Sequence, residues 1–376
     1  MLKERVYGVV HIRNEWLTII SCMITQLVLA SLMGISDAAE TLVFQDDFTT
    51  FNFKTWSHEM TLSGGGNWEF EWYVNNRTNS YVKNGVLYIV PTLTEDAIGH
   101  DTLVSGDVNI WGGSPQESCT NNQFWGCERN AAASGNYINP VRSARIRTLN
   151  SFAFKYGRVE VKAKLPKGDW LWPAIWLLPS HNEYGGWPAS GEIDIMESRG
   201  NAPGYPAGGN NMYASTLHWG PDWAHNQYPK THASYTHPSS LADDFHVYGL
   251  YWDENELYTY FDDPSNKVLQ VDFTQQSFWD RGQFSSNFAN PWVGQPNSAP
   301  FNTEFHLIIN LAIGGTNGYF PDGQGNKPWS DMDQHSVNAF HNTAGAWYPT
   351  WQGENAGLQV DSIKVWKFDD SEVTYK

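Results

Sequence analysis

Residues Arg158-Val159-Glu160-Val161-Lys162-Ala163-Lys164-Leu165 alternate polar and apolar without a break, and no part of the chain shows a long run with helical periodicity. A period of two puts one face of a segment in a core and the other in water, as in a strand of an antiparallel sheet. Further strands are expected at 86–90, 245–252, 257–261, 305–312 and 358–368. The stretches between them, roughly 98–140, 199–243, 262–300 and 314–356, are rich in Gly, Asn, Pro and Ser and read as loops. Short strands joined by long loops, in a chain with 15% aromatic residues, predict an all-β sandwich. No linker, repeat or charge run follows residue 41, so residues 40–376 read as one domain.

Residues 1–39 read as a targeting segment. Lys3, Arg5 and Arg13 precede an apolar stretch over 17–35, followed by Ser36-Asp37-Ala38-Ala39, with cleavage placed after Ala38. The competing reading is an uncleaved signal anchor, because the apolar stretch is long for a signal core. Thr18, Ser21, Thr25, Gln26 and Ser31 dilute it and favour a removable signal. A secreted, extracellular protein with no membrane contact in its mature form is expected, and a monomer.

The formal net charge of −17 belongs to the mature chain, since Lys3, Arg5 and Arg13 cancel Glu4, Glu15 and Asp37. Such a surface repels phosphate backbones and anionic lipid, which disfavours nucleic acid and acidic polysaccharides and leaves neutral polymers open. Cys119 and Cys127 flank a polar, Gly-containing loop and are expected to pair as a disulfide. Asn76-Arg77-Thr78 is an N-glycosylation sequon, which makes Asn76 a candidate acceptor.

Chemistry concentrates in Gly191-Glu192-Ile193-Asp194-Ile195-Met196-Glu197, where three carboxylates fall within six residues of an apolar, β-branched segment. Alternation sends Glu192 and Asp194 to one face and Ile193 and Ile195 into a core, and by the same rule Glu197 faces the wrong way. A β-bulge at Ile195 or Met196 adds one residue and returns Glu197 to the face of the other two. The Cα atoms of Glu192 and Glu197 would then lie about 13 Å apart, and their side chains could bring the carboxyls to about 5 Å. The shorter Asp194 would sit between them and split their acidities. The bland reading is a solvated acidic edge, but apolar neighbours argue for a cleft.

Around this segment, Trp172, Trp176 and Trp187 suit stacking on pyranose rings, although Trp also fills cores. Trp187, in a Gly- and Pro-flanked loop, is the better ligand candidate than Trp172. His218, in Thr216-Leu217-His218-Trp219-Gly220, is expected on the site face, with a structural hydrogen-bonding role as its alternative. Arg145 is a candidate donor to sugar hydroxyls or to the nucleophile, with an ordinary surface strand charge as its alternative. No phosphate loop, Ser/His/Asp elbow or HExxH helix occurs, so no metal ligands are named.

Over about residues 45–370 the chain resembles the family 16 glycoside hydrolases, in the animal laminarinase and β-1,3-glucan-recognition branch. The strongest piece is Trp187-Pro188-Ala189-Ser190-Gly191-Glu192-Ile193-Asp194-Ile195-Met196-Glu197, similar to that family's bulged ExDxxE signature. Supporting pieces are Ser143-Ala144-Arg145-Ile146, Leu217-His218-Trp219-Gly220, Phe245-His246-Val247-Tyr248-Gly249-Leu250-Tyr251-Trp252, and Leu307-Ile308-Ile309-Asn310-Leu311-Ala312-Ile313-Gly314-Gly315. The resemblance implies a jelly-roll sandwich of two antiparallel sheets with a concave substrate groove. Glu192 would be nucleophile, Glu197 acid and base, and Asp194 their support, with Arg145, Trp176, Trp187 and His218 as subsite residues. It implies no required cofactor and leaves room for one structural calcium on the convex side. The activity implied is retaining endo-hydrolysis of β-1,3-glucan, with Glu197 titrating above Glu192 because of the nucleophile's charge. The alternative is a non-hydrolytic β-1,3-glucan or lipopolysaccharide pattern-recognition protein of innate immunity.

Overall fold

The alternating segment forms the strand Gly157–Lys164 in a computed structural model that describes residues 40–112, 118–368 and 372–376. Val159, Val161 and Ala163 are fully buried, while Arg158, Glu160 and Lys162 face outward. The expected leader over 1–39 lies outside the described residues. Residues Thr41–Lys376 form one compact unit.

Gly157–Lys164 lies inside an eight-stranded sheet ordered Lys267–Asp272, Glu256–Phe261, His246–Trp252, Gly157–Lys164, Leu358–Lys367, Val86–Ile89 and Ser80–Lys83, with Thr41–Asp46 also paired to Leu358–Lys367. The second sheet carries the acidic segment. Seven of its nine strands are β1 (Ser57–Glu59), β2 (Arg145–Arg147), β3 (Leu171–Pro179), β4 (Glu192–Ser198), β5 (Met212–His218), β6 (His232–Thr236) and β7 (Phe305–Ile313). They lie in the order β6, β5, β4, β3, β7, β2, β1. All pairings in both sheets are antiparallel, as expected for the sandwich. A small three-stranded sheet holds one parallel pair, Glu71–Tyr73 with Val141–Ser143.

Ile193, Ile195, Leu217, Ile309 and Leu311 of the second sheet share a buried cluster with Val159, Val161, Leu250 and Val365 of the first. Each such side chain, fully buried, contributes about 1.5–3 kcal/mol, so the facing apolar sets hold the two sheets together. Every residue of β7 is buried, because its opposite face is roofed by the site residues described below.

Three of the expected loops contain strands. Segment 199–243 holds β5 and β6, and 262–300 holds Lys267–Asp272 with the short helix Phe278–Gly282. Their Gly, Asn and Pro residues cluster at the ends of these elements, and that composition masked the strands between. Segment 98–140 holds a two-stranded ribbon, Asp107–Asn109 with Glu128–Asn130, next to the Cys119–Cys127 disulfide. Among the described residues no helix is long and apolar enough to cross a membrane.

Candidate active site

The bulge falls where the acids require it. On one side of β4, Asp194 pairs with Trp176 and Met196 with Ile175, so Ile195 is the extra residue. On the other side, Asp194 pairs with Thr216 and Glu197 with Ala214, leaving Ile195 and Met196 opposite Ser215 alone. Both bulged side chains are fully buried, so the irregularity inserts two successive apolar groups into the core and swings Glu197 to the face of Glu192 and Asp194. The bulged carbonyl is not orphaned. Ser215 Oγ donates to Ile195 O at 2.7 Å and accepts from Thr259 Oγ1 of the opposite sheet at 2.8 Å. Gly191 leads into the strand at φ +86, and a Cβ there would press on the Phe301 ring at 3.0 Å.

Register then defines a row of side chains across one face. Glu59 pairs with Arg145, Arg145 with Asn310, Asn310 with Ala174, Ala174 with Glu197, and Glu197 with Ala214. By period two, Trp172 and Trp176 flank Ala174 on β3, and Ile308 and Ala312 flank Asn310 on β7. Small residues therefore floor the centre of the face and tryptophans stand beside it.

Each outer glutamate is held by one indole. Trp187 Nε1 donates to Glu192 Oε2 at 2.9 Å, and Trp172 Nε1 donates to Glu197 Oε1 at 2.9 Å. Trp172 is itself clamped, stacked on Tyr319 with ring centroids 3.8 Å apart, and the Arg199 guanidinium lies over the Tyr319 ring, 4.1 Å from its centroid. Trp187 is 45% exposed and free to meet a ligand. Asp194 is buried and hydrogen-bonded to Glu192. His218 Nε2 lies 3.2 Å from Asp194 Oδ2 and 3.7 Å from Glu192 Oε1, and its ring stacks on Tyr228.

Burial is the main force on all three acids. It pushes Glu192 up to about 8, with Asp194 adding to the rise and His218 opposing it. Asp194 is raised well above the usual carboxylate range by burial and then by Glu197. Glu197 is raised by burial, against the pull of His218 and the Trp172 hydrogen bond, and the neighbouring charge acting to raise it is Glu69. The rise expected from the charge of Glu192 is thus supplied chiefly by desolvation.

The other predicted site residues are placed as follows. Trp176 lies half-buried on the site face and donates from Nε1 to Asn310 Oδ1 at 2.7 Å. Arg145 is buried, not a surface strand charge. Three strand steps, about 14 Å, separate it from Glu197 along the row. Its guanidinium instead meets Glu59 at 3.4 Å, Glu69 at 3.6 Å and the Tyr73 hydroxyl at 3.3 Å, with the Trp176 ring 5.3 Å away. Asn76 lies in a turn, where its Oδ1 accepts from the Thr78 amide.

Sequence reasoning missed Glu59, Glu69 and Glu71, which surround Arg145, and it ranked Trp172 below Trp187. The alternation Trp172, Ala174, Trp176 carried the signal for Trp172. Among the described residues, the groups of three His, Cys or carboxylate ligand atoms within 4.8 Å are Glu192, Asp194, His218 and Glu95, His100, His341.

Residues 109–305 match the model of the family described as glycosyl hydrolases family 16. A β-1,3-glucan-binding protein of Penaeus monodon is 48% identical over 88% of this chain and 91% of its own length. A glucan endo-1,3-β-glucosidase of Cryptopygus antarcticus is 30% identical over 83% of this chain and 93% of its own length. Among solved structures, the endo-β-1,3-glucanase of Pyrococcus furiosus superposes with a TM-score of 0.56 over 89% of this chain and 97% of that one, at 24% identity.

Proposed function

Because the chain belongs to glycosyl hydrolases family 16, we propose that it is a secreted, retaining endo-β-1,3-glucanase that cleaves internal bonds of laminarin-like glucans. The observation that carries this reading is the complete acid set on one face, with each outer glutamate oriented by its own indole. Glu192 attacks the anomeric carbon while Glu197, protonated at the outset, gives its proton to the departing oxygen. Glu197 then takes a proton from the water that releases the sugar. Neither step calls for a metal.

Free Glu192 holds a proton up to about pH 8, yet attack requires the anion. Asp194, buried, hydrogen-bonded to it and itself raised well above the usual carboxylate range, takes that proton as substrate arrives, which leaves Glu192 ionised and still hydrogen-bonded. His218, beside both oxygens, favours that anion. Trp187 and Trp176 supply faces for pyranose rings, and the small floor at Ala174 and Ala214 leaves depth for them. The Cys119–Cys127 disulfide supports an oxidising, extracellular setting.

A second reading is a glucan sensor that binds without cleavage, favoured by the 48% identity to the β-1,3-glucan-binding protein of Penaeus monodon. Reducing-end release from laminarin separates the two. The hydrolase releases new ends continuously and Glu192→Ala does not, while both bind the glucan. Binding with no release by the unaltered protein overturns the hydrolytic reading in favour of the sensor.

A further inference from the structure

The second ligand cluster lies apart from the acidic strand. Glu95 belongs to the short helix Glu95–Ile98, His100 to the helix His100–Ser105, and His341 to the helix Ser336–Asn342 near the other end of the chain. A single oxygen, Glu95 Oε2, lies 3.2 Å from His100 Nδ1 and 3.3 Å from His341 Nε2. All three atoms are within 4.8 Å of one another. Imidazole-to-carboxylate hydrogen bonds between charged partners run shorter, about 2.7–2.9 Å. The edge of a tetrahedron around an ion with bonds of about 2.0–2.1 Å is about 3.3 Å. The two separations, which are long hydrogen bonds while the site holds no ion, fit that edge.

From this geometry we propose that Glu95, His100 and His341 bind a zinc ion, with water completing the tetrahedron. Two imidazoles and one carboxylate are a borderline ligand set that suits zinc and disfavours calcium, which takes oxygen alone. His100 is exposed and His341 buried, so the ion would enter from solvent and seat against the protein. The remaining nitrogen of His341, Nδ1, is buried with no hydrogen-bond partner. A ligand imidazole that lacks an outer-shell partner binds its metal about 10–100-fold more weakly, which sets the expected Kd on the order of micromolar.

The ion would act as a staple. It joins the 95–100 segment to the helix Ser336–Asn342 across the whole sandwich sequence, where polar contacts already dock that helix: Asn338 Nδ2 donates to Gly135 O and Asn338 Oδ1 accepts from the Tyr137 amide. Phe340, next to His341, packs on Phe70 with ring centroids 4.9 Å apart. Phe70 separates Glu69 from Glu71 in sequence, so the staple stiffens the wall that carries the cluster around Arg145.

The test uses the full chain, stripped with chelator and titrated with zinc chloride, with calcium chloride in parallel. One zinc per chain is expected to bind, calcium is expected not to compete, and the melting temperature should rise by about 4 °C at free zinc of about 100 times Kd. Cobalt in place of zinc should give the visible absorption of tetrahedral coordination. His100→Ala removes an exposed ligand, so the variant folds and should bind zinc at least about 100-fold more weakly, while Glu192→Gln binds it as before. Unchanged binding by His100→Ala, loss of binding in Glu192→Gln, or no binding by the unaltered chain would each overturn the proposal.

Discussion

Two clusters on one face of the same sheet each gather three carboxylates, and they resolve the same electrostatic problem in opposite ways. Around Arg145, the carboxyls of Glu59 and Glu69 share a buried guanidinium, which burial alone would discharge but which Tyr73, Glu59 and Glu69 hold firmly charged. Glu71 stays outside that pairing and is raised well above the usual range, by burial and then by Glu69. Its Oε2 accepts from the Ile313 amide at 2.8 Å. Around β4, among the described residues, no guanidinium pairs directly with Glu192, Asp194 or Glu197: their close partners are His218, two indole N–H groups and each other, and Arg199 acts on Glu197 only through space. The first cluster is neutralised by a counter-charge and the second by retained protons. A proton held in that way can be passed to a substrate, whereas a buried guanidinium cannot be.

The contrast is broken most directly at the nucleophile. Glu192→Ala should lower kcat on laminarin by at least about 10⁴-fold, with glucan binding changed by no more than about threefold, read from reducing-end assays alongside calorimetry. If turnover survives near its original level, the protons retained around β4 serve no chemistry.

Removing the cation of the first cluster should instead cost stability. Arg145→Met leaves Glu59 and Glu69 buried without a counter-charge, and the free energy of unfolding in denaturant should fall by about 3–5 kcal/mol. Adding Glu69→Gln to that variant should recover part of the loss. A loss of activity without any loss of stability would move Arg145 from structural counter-charge to substrate contact.

The same manipulation around β4 should have the opposite sign. The folded protein holds the Glu192 proton up to about pH 8, whereas the group's ordinary value is 4.5. Between those values the folded state binds more protons than the unfolded one, so stability falls as pH rises through the window. Glu192→Gln removes that penalty and should stabilise the protein by about 3 kcal/mol at pH 8, with the gain shrinking toward pH 4.5. Melting curves at pH 5 and pH 8 provide the check, and an equal shift at both pH values would contradict it.

The smallest effect concerns positioning. Trp172→Phe keeps the stack on Tyr319 and deletes the N–H that Glu197 accepts, so kcat/KM should fall about 10–100-fold, the value of one hydrogen bond to a charged group. That hydrogen bond lowers the affinity of Glu197 for its proton. The alkaline limb of the pH profile should therefore move to higher pH in the variant, a shift that loss of packing alone would not produce.

What could be read from the sequence follows the range of the interactions. The strand at Gly157–Lys164 and the bulge in β4 were legible because period two and the mismatch of Glu197 with that period are local properties. The strands β5, β6 and Lys267–Asp272 were harder to see, because turn residues at their ends dominate the local composition. The site of Arg145 was not legible. Its partners Glu59 and Glu69 lie more than seventy residues away: the register of β1 with β2 brings Glu59 to it, and the Phe70 amide bonded to Ile313 O at the end of β7 brings Glu69. Trp172 was undervalued for a related reason, since its role depends on Tyr319, almost 150 residues downstream.

The account stands or falls on Glu192 acting as a nucleophile opposite Glu197, and the stereochemistry of the first product reports that step alone. Proton NMR of laminarin during the first minutes of digestion should show new reducing ends as the β-anomer, with the α-anomer appearing only later by mutarotation. New ends that appear first as the α-anomer would mean direct attack by water, and would contradict the account.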